Sequence, residues 1–487
     1  MSALVTHAWH PIEDLPEDWI DLAVPELRAL GDVWLEQRDE LEGTGALARF
    51  IDQLTREWAI ETGIIERVYT LDRGVTELLI ERGIDSSLIP HEATDTDPEL
   101  VTAIIRDHQA AMDWLFEVVK RARPLTTSFI RELHALMTRH QRYASGRDQF
   151  GNLVEMELAH GDWKQLPNNP TRADGSVHEY CPPEQVSAEM DRLVEMHDRH
   201  SARAVPPEVE AAWLHHRFAQ IHPFQDGNGR VARAITSLVF IRAGWFPLVV
   251  TSKDKDAYLD ALEAADGRDL GPLVNHFAKL QRREFTQALG LVRETLREGE
   301  RVDQVIASIS EVFSGRQDKL REEWAQAAAT ANGILDRARG RLEDVRDQLA
   351  ASTGQRFYVD SQPNGGTQAH WHRGETIEVA RELRYFANNH TYRAWARLKL
   401  VTDREAFVLL SLTGVGREFR GVIGASLAFF WREESDEGQR RILSVTPASD
   451  ELFQINYKED EASVIRRFDR WFEGALACAL EMWRRGL

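Results

Sequence analysis

Cysteine is nearly missing: the 487 residues include two, Cys181 and Cys478. They stand far apart and neither has companions at metal-ligand spacing, which excludes a disulfide framework and a thiolate zinc site and fits a reducing compartment. Long hydrophobic runs are missing too. Nowhere do about 18 apolar residues follow one another, as a membrane-spanning helix would require. The first 20 residues carry Glu13, Asp14, Glu17 and Asp18 and lack a basic segment followed by an apolar one, so a soluble, cytoplasmic, non-secreted protein is expected. Positive charge is the third scarcity. Against 79 acidic side chains stand 59 Lys and Arg, a formal net charge of −20, and such a surface argues against a membrane or a nucleic acid as partner. Residues 1–100 hold 23 acidic and 7 basic side chains, which places −16 of the total in one segment.

What is present suits packed cores. Hydrophobic residues make up 43% of the chain, with 14 Trp and 20 Phe, and the length suggests about three domains. Apolar residues at helical spacing dominate the first 300 positions, as in Leu27, Leu30, Val33 and Trp34 or Phe129, Leu133, Leu136 and Met137. Val154, Met156 and Leu158 alternate with Glu155 and Glu157 ahead of turn-forming residues, which predicts a β-hairpin over roughly 153–180. Residues 296–350 read as long amphipathic helix, broken at Gly315. Beyond Gly354 alternation and apolar runs (Ala396–Leu400, Phe407–Leu412, Gly421–Trp431, Phe453–Tyr457) precede a closing helix, Ala462–Arg484. The expected fold is mostly α. An acidic helical region over 1–100 leads to a helical core over 101–290, a helical connector over 291–352 and a separate α+β domain over 353–487.

Chemistry concentrates in Ile221-His222-Pro223-Phe224-Gln225-Asp226-Gly227-Asn228-Gly229-Arg230-Val231-Ala232-Arg233. Asp226-Gly227-Asn228-Gly229 reads as a turn whose glycines permit positive φ and expose consecutive N–H groups where a helix begins, an anion-binding nest. Arg230 and Arg233, three apart, share a helix face and suit forked bonds to phosphate oxygens. Asp226 is a hard oxygen ligand suited to Mg²⁺, and His222 is placed to take a proton from a hydroxyl. Singly, each residue is more simply a cap, a turn former or a solvated side chain. Their ordered combination is not required by a plain loop.

This stretch resembles the Fic motif, H-x-F-x-[D/E]-G-N-G-R-x-x-R, at every specified position. The resemblance implies a Fic-type helical core with a β-hairpin flap, and an enzyme that transfers AMP from ATP to a Ser, Thr or Tyr hydroxyl of a target protein, or of the enzyme itself, with Mg²⁺ as cofactor and ATP as co-substrate. By position, His222 would be the base and Asp226 the Mg²⁺ ligand. Gly227, Asn228 and Gly229 would form the anion hole, and Arg230 and Arg233 would clamp the β- and γ-phosphates. The flap implies that an extended target segment adds to it as a strand.

Many members carry an inhibitory helix with [S/T]-x-x-x-E-[G/N], whose glutamate pairs with the last motif arginine. The candidate here is Glu57-Trp58-Ala59-Ile60-Glu61-Thr62-Gly63, which makes Glu61 the expected regulatory carboxylate against Arg233. Two alternatives stand beside the adenylyltransferase: a regulatory or interaction protein with a largely silent Fic core, and a Fic enzyme that removes AMP or uses another nucleotide. His215 and His216 read as packing or surface histidines. His370-Trp371-His372 lacks companions at ligand spacing and reads as structural.

Overall fold

The computed structural model describes residues 5–41, 45–147, 153–170, 176–290, 316–402, 404–416, 421–434, 440–442 and 444–487. It is mostly helical and divides into two compact units, Met1–Val24 with Ala48–Gln281 and Pro25–Leu47 with Arg282–Leu487.

In chain order the helices up to residue 290 are α1 (Pro25–Leu41), α2 (Gly45–Ile65), α3 (Arg73–Arg82), α4 (Pro98–Lys120), α5 (Thr127–Met137), α6 (Pro183–Ala202), α7 (Pro207–Ile221), α8 (Asn228–Arg242), α9 (Lys255–Asp266) and α10 (Gly271–Ala288). In the first unit α8 is packed by α4, α5 and α7. Buried residues occupy all sides of α7 and α8, among them Leu214 and Phe218 on α7 and Ile235, Leu238 and Phe240 on α8, as expected of helices at the centre of a bundle. The surrounding helices begin where the sequence supplies caps. The Asp97 carboxylate accepts from the Glu99 N–H (3.0 Å) at the start of α4, and Thr126 Oγ1 accepts from the Phe129 N–H (3.1 Å) at the start of α5. Proline occupies the first turn of α6 and α7, where its missing N–H costs no helical bond.

The hairpin lies upstream of its expected position. Strand β2 (Tyr143–Arg147) pairs antiparallel with β3 (Leu153–Glu157), with Ala144 opposite Met156 and Gly146 opposite Val154. The alternating stretch is therefore the return strand, and its partner, Tyr-Ala-Ser-Gly-Arg, has no apolar alternation to mark it as a strand in the sequence. Of the remainder of the hairpin expected over roughly 153–180, residues 171–175 lie outside the described residues, while β4 (Val177–His178) pairs in parallel with β1 (Val5–His7). Residues 291–315 of the expected connector, Gly315 included, also lie outside the described residues. The connector's described part is one helix, Arg316–Thr353.

The second unit is built on a sheet of seven described strands, among them β5 (Tyr358–Gln362), β9 (Arg440–Ile442), β10 (Thr446–Pro447) and β11 (Phe453–Asn456); its path is β10-β8-β7-β6-β5, with β9 and β11 also pairing β8, and every pairing is antiparallel. Its long strands are β6 (Ala387–Val401), β7 (Glu405–Val415) and β8 (Val422–Glu434). Helices Arg316–Thr353 and Glu461–Gly486 cover one face, where Leu398, Val408, Leu410, Leu427 and Phe429 meet Ile334, Leu342, Phe468 and Phe472. On the other face Trp395, Phe407, Leu409 and Phe430 pack with Val379 of the short helix Arg373–Glu382. Strand β7 is thus buried on both faces, which explains the unbroken apolar run Phe407–Leu412, while alternation survives in β6, where Arg397 and Lys399 are half-buried. The two covering helices are tied by forked pairs, Arg337 to Asp469 and Arg341 to Glu473.

Leu410→Ala, which empties a fully buried position of β7, is expected to destabilise the second unit by about 2–5 kcal/mol. Urea unfolding of the full chain with a probe in the second unit measures it.

Candidate functional site

Helix α7 stops at His222, whose φ of +52° is left-handed, and Pro223 cannot continue a helix. The chain turns and restarts as α8 at Asn228. The Asn228 side chain closes the turn from inside, since Oδ1 accepts from the Phe224 N–H (2.8 Å) and Nδ2 donates to the Phe224 carbonyl (2.7 Å). Gly227 has φ +81°, a conformation open to glycine, and a Cβ there would press on Thr138 and His134. His134 supports the turn from α5. Its ring stacks on Phe224 at 3.8 Å, Nδ1 accepts from the Gly161 N–H (2.8 Å), and Nε2–H therefore donates to the Asp226 carbonyl (3.0 Å).

The proton state of His222 follows from its neighbours. Nδ1 lies 3.2 Å from the Ala219 carbonyl, which can only accept, so Nδ1 carries the hydrogen and Nε2 keeps a lone pair. Tyr180 stacks flat on the imidazole, 3.8 Å away and 3° from parallel. Desolvation, aided by the Lys164 ammonium, pushes the imidazolium down to about 3, so His222 is neutral at physiological pH. Lys164, itself pushed down to about 8 by burial, donates to Asn168 Oδ1 (2.9 Å), and Asn168 Nδ2 donates to the Phe224 carbonyl (2.8 Å).

On the other side of the turn the first N–H groups of α8, which no helical carbonyl can accept, lie beside Arg230. This guanidinium is buried. Nη2 donates to Gln141 Oε1, whereas Nε and Nη1 are buried with no acceptor among the described residues. Gln141 Nε2 donates to Asp226 Oδ2 (2.6 Å), so one glutamine orients both the cation and the carboxylate. Asp226 Oδ1 accepts from the Gly227 N–H (2.6 Å), and the side chain is 44% exposed. A solvent-facing hard carboxylate beside an anion cradle fits Mg²⁺, which takes one or two protein carboxylates and completes its shell with phosphate oxygens and water.

Arg233 is where the expected regulatory contact must be corrected. Nε donates to Thr62 Oγ1 (2.8 Å), Nη2 to the Thr62 carbonyl (3.0 Å), and Nη1 to Glu66 Oε1 (2.8 Å). The carboxylate on Arg233 is that of Glu66, not Glu61. Glu61 turns away, and its Oε2 accepts from the Ser252 N–H (2.8 Å). The physical reason is helical phase: Thr62 and a residue four positions on share a face, and Glu61, next to Thr62, points elsewhere. The Glu66 carboxylate also lies over Gly229, so closely that a Cβ at 229 would overlap it. It therefore occupies the space above the first turn of α8. Gly63 gives up its side chain to the Tyr69 ring, whose hydroxyl donates to the Ile60 carbonyl (2.9 Å), and this seats the end of α2.

With this geometry in view, the Fic/DOC family model matches residues 124–240. A Fido domain-containing protein of Dictyostelium discoideum is 38% identical over 101 residues, 19% of this chain and 70% of its own. The chain belongs to the Fic/DOC family. A protein adenylyltransferase fic-1 of Caenorhabditis briggsae is 31% identical over 111 residues, and the match covers 23% of this chain and 22% of that protein; the chain thus spans about a fifth of that relative's length. Among solved structures, a Fic domain-containing signaling protein of Bacteroides thetaiotaomicron is 28% identical with a TM-score of 0.43, covering 54% of this chain and 94% of its own.

Within this Fic core the structure brings His222, Asp226, Gly227, Asn228, Gly229, Arg230 and Arg233 around one turn, as the motif's spacing implied. Asn228 contributes its side chain to the turn and only its backbone to the cradle. His134, Gln141, Lys164, Tyr180, Thr62 and Glu66 were not singled out from the sequence. A signal existed for the last two: Thr62-Gly63-Ile64-Ile65-Glu66-Arg67 has Thr four residues before Glu, as [S/T]-x-x-x-E requires, with Arg67 where Gly or Asn is expected. The other four come from segments 42 to 88 residues away from the motif's first residue and follow no local pattern.

Burial, with the Glu57 and Asp254 charges adding to it, pushes the Glu61 carboxyl up to about 7 against the Ser252 N–H bond that favours the ion. An unfolded glutamate ionises near 4.3, so between about pH 4.3 and 7 the unfolded chain binds fewer protons and stability falls as pH rises. Glu61→Gln cannot ionise and keeps an oxygen for Ser252. It is expected to be more stable than the parent at pH 8 by on the order of 1–3 kcal/mol and equal to it near pH 4. Urea unfolding at the two pH values measures both.

Proposed function

We propose that this protein is a protein adenylyltransferase that transfers AMP from ATP to a protein hydroxyl, and that the Glu66–Arg233 pair holds it in check. The observation that carries the reading is Arg230, a buried guanidinium at a helix N-terminus with two nitrogens lacking acceptors among the described residues, beside a partly exposed carboxylate and on the turn that also carries a neutral histidine. Such donors suit the oxygens of a polyphosphate. Relatives named protein adenylyltransferase support the same reaction class.

In the proposed reaction His222 Nε2 takes the proton of the target hydroxyl as its oxygen attacks the α-phosphorus. The new O–P bond forms as the bond to the bridging oxygen breaks, and pyrophosphate leaves with the electron pair. The Nδ1–H bond to Ala219 and the Tyr180 stack hold the imidazole in position to accept. The first-turn N–H groups of α8 and the Arg230 guanidinium receive the charge that develops on the leaving group, fixed donors that need no reorganisation. Mg²⁺, when held by Asp226, would neutralise phosphate charge. Gln141 keeps Asp226 and Arg230 in register. The flap β2–β3 begins two residues after Gln141, which suits it to present an added target strand to the site. A cytoplasmic location belongs to the same proposal.

Glu66 supplies the regulatory half. A carboxylate on Arg233 and over Gly229 competes with the nucleotide's terminal phosphate for the same donors. This observation also favours a second reading, a regulatory or interaction protein whose Fic core stays silent. The two separate on incubation with Mg²⁺ and a panel of α-labelled nucleotides plus a cell extract. Glu66→Gly is expected to raise labelling from ATP at least tenfold over wild type, and adding His222→Ala to Glu66→Gly is expected to lower it at least about a hundredfold. Silence of Glu66→Gly with every nucleotide selects the second reading, and label from another nucleotide alone changes the substrate.

The depressed pKa of His222 sets the pH dependence. Its base form persists well below the ordinary histidine range, so the rate in the Glu66→Gly background is expected to show no acidic limb from His222 between pH 5 and 8. A limb near 6.5 in kcat/KM would contradict the neutral, desolvated imidazole.

A further inference from the structure

Away from the phosphate cradle, three ligand-type side chains of the first unit converge from distant parts of the sequence. His7 ends β1 and His178 ends β4, and the strands run side by side, with the His7 carbonyl accepting from the Glu179 N–H (2.9 Å). Their imidazoles stack at 4.4 Å and 13° from parallel. Asp266 ends α9, with Oδ2 3.8 Å from His178 Nδ1. One ligand atom from each of His7, His178 and Asp266 can be taken so that all lie within 4.8 Å of one another.

Two further observations point to an ion. His7 Nε2 is buried and has no hydrogen-bond partner among the described residues, although an imidazole nitrogen in such a place normally finds one. The second is the support behind Asp266. Arg217 Nη1 faces His216 Nδ1 at 3.3 Å, and a guanidinium can only donate, so His216 Nε2–H donates to Asp266 Oδ1 (3.0 Å). That bond fixes the carboxylate and leaves Oδ2 toward the histidines, as metal-ligating carboxylates are commonly held.

We propose that His7, His178 and Asp266 form a binding site for one divalent transition-metal ion of the zinc class, with His216 supporting the carboxylate. Two imidazoles and one carboxylate select Zn²⁺ or its neighbours over Mg²⁺ and Ca²⁺, which prefer all-oxygen shells. Three protein ligands leave a fourth position for water. A bound ion would fasten β1 to β4, and β4 leads directly into Tyr180, the residue stacked on His222.

The test uses the full-length chain, free of affinity tag, stripped of metal and kept in excess Mg²⁺ so that hard-oxygen sites are filled. Zn²⁺ is titrated calorimetrically and Co²⁺ by its visible absorption. One equivalent per chain is expected, with the Co²⁺ spectrum of a low-symmetry nitrogen and oxygen shell. His7→Ala and Asp266→Asn are each expected to weaken binding more than tenfold, and His216→Ala by about 10- to 100-fold. Wild type that takes up no Zn²⁺ overturns the proposal, as does binding of unchanged affinity in a folded His7→Ala chain. The wild-type stoichiometry decides even where a variant fails to fold.

Discussion

Arg233 is buried to 1% exposure, and a guanidinium removed from water must have its N–H groups accepted and its charge answered. Three of its hydrogen bonds go to residues at or just past the end of α2, to the Thr62 hydroxyl, the Thr62 carbonyl and the Glu66 carboxylate, and Tyr258 of α9 is a further side-chain partner. Much of the site's arrangement follows from that requirement. The last turn of α2 must lie against the first turn of α8, Gly63 must admit the Tyr69 ring to hold that turn in place, and Gly229 must lack a side chain where the Glu66 carboxylate rests. A nucleotide's terminal phosphate would satisfy the same arginine with the same kind of oxygen. The proposed inhibition is therefore an exchange of one anion for another on a buried cation, which needs no distant conformational signal.

Arg230 shows the complementary condition. It shares the helix face of Arg233, yet only one of its nitrogens has a recorded acceptor, on Gln141. Leaving buried donors unmet is costly, and proteins tolerate it chiefly where a ligand supplies the acceptor. The contrast between a satisfied Arg233 and an unsatisfied Arg230 is what a site blocked at one end and open at the other would present. The −20 net charge of the chain is compatible with this, because a short nest and two arginines set the local field. Beyond about a Debye length, the acidity of residues 1–100 is largely screened.

The motif was legible because its geometry is local. A helix end, a glycine turn and a helix start within twelve residues leave few ways to arrange His222, Asp226, Arg230 and Arg233, and the structure follows that reading. The sheet of the second unit was legible where strands alternate, as in β6, and where they are buried on both faces, as in β7. Partnerships across the chain were not. Tyr143–Arg147 carries no alternation, so nothing in the sequence shows that the partner strand of Val154–Leu158 precedes it. Glu61 and Glu66 are both acids on or just past one helix, and only the position of Arg233 against Thr62 decides which one reaches it. Gln141, His134 and Lys164 are ordinary in sequence and acquire meaning through the turn they brace. The same holds for His7, His178 and Asp266, which come from three parts of the chain and share no motif.

In the proposed inhibition Glu66, and not Glu61 one face away, fills the anion site. Intact mass of purified wild-type, Glu66→Gly and Glu61→Gly proteins after incubation with ATP and Mg²⁺, with the target source included, tests it directly. Added AMP, on the enzyme or on a co-incubated protein, is expected to rise in Glu66→Gly and to stay at the wild-type level in Glu61→Gly. A rise in Glu61→Gly with Glu66→Gly unchanged would contradict it.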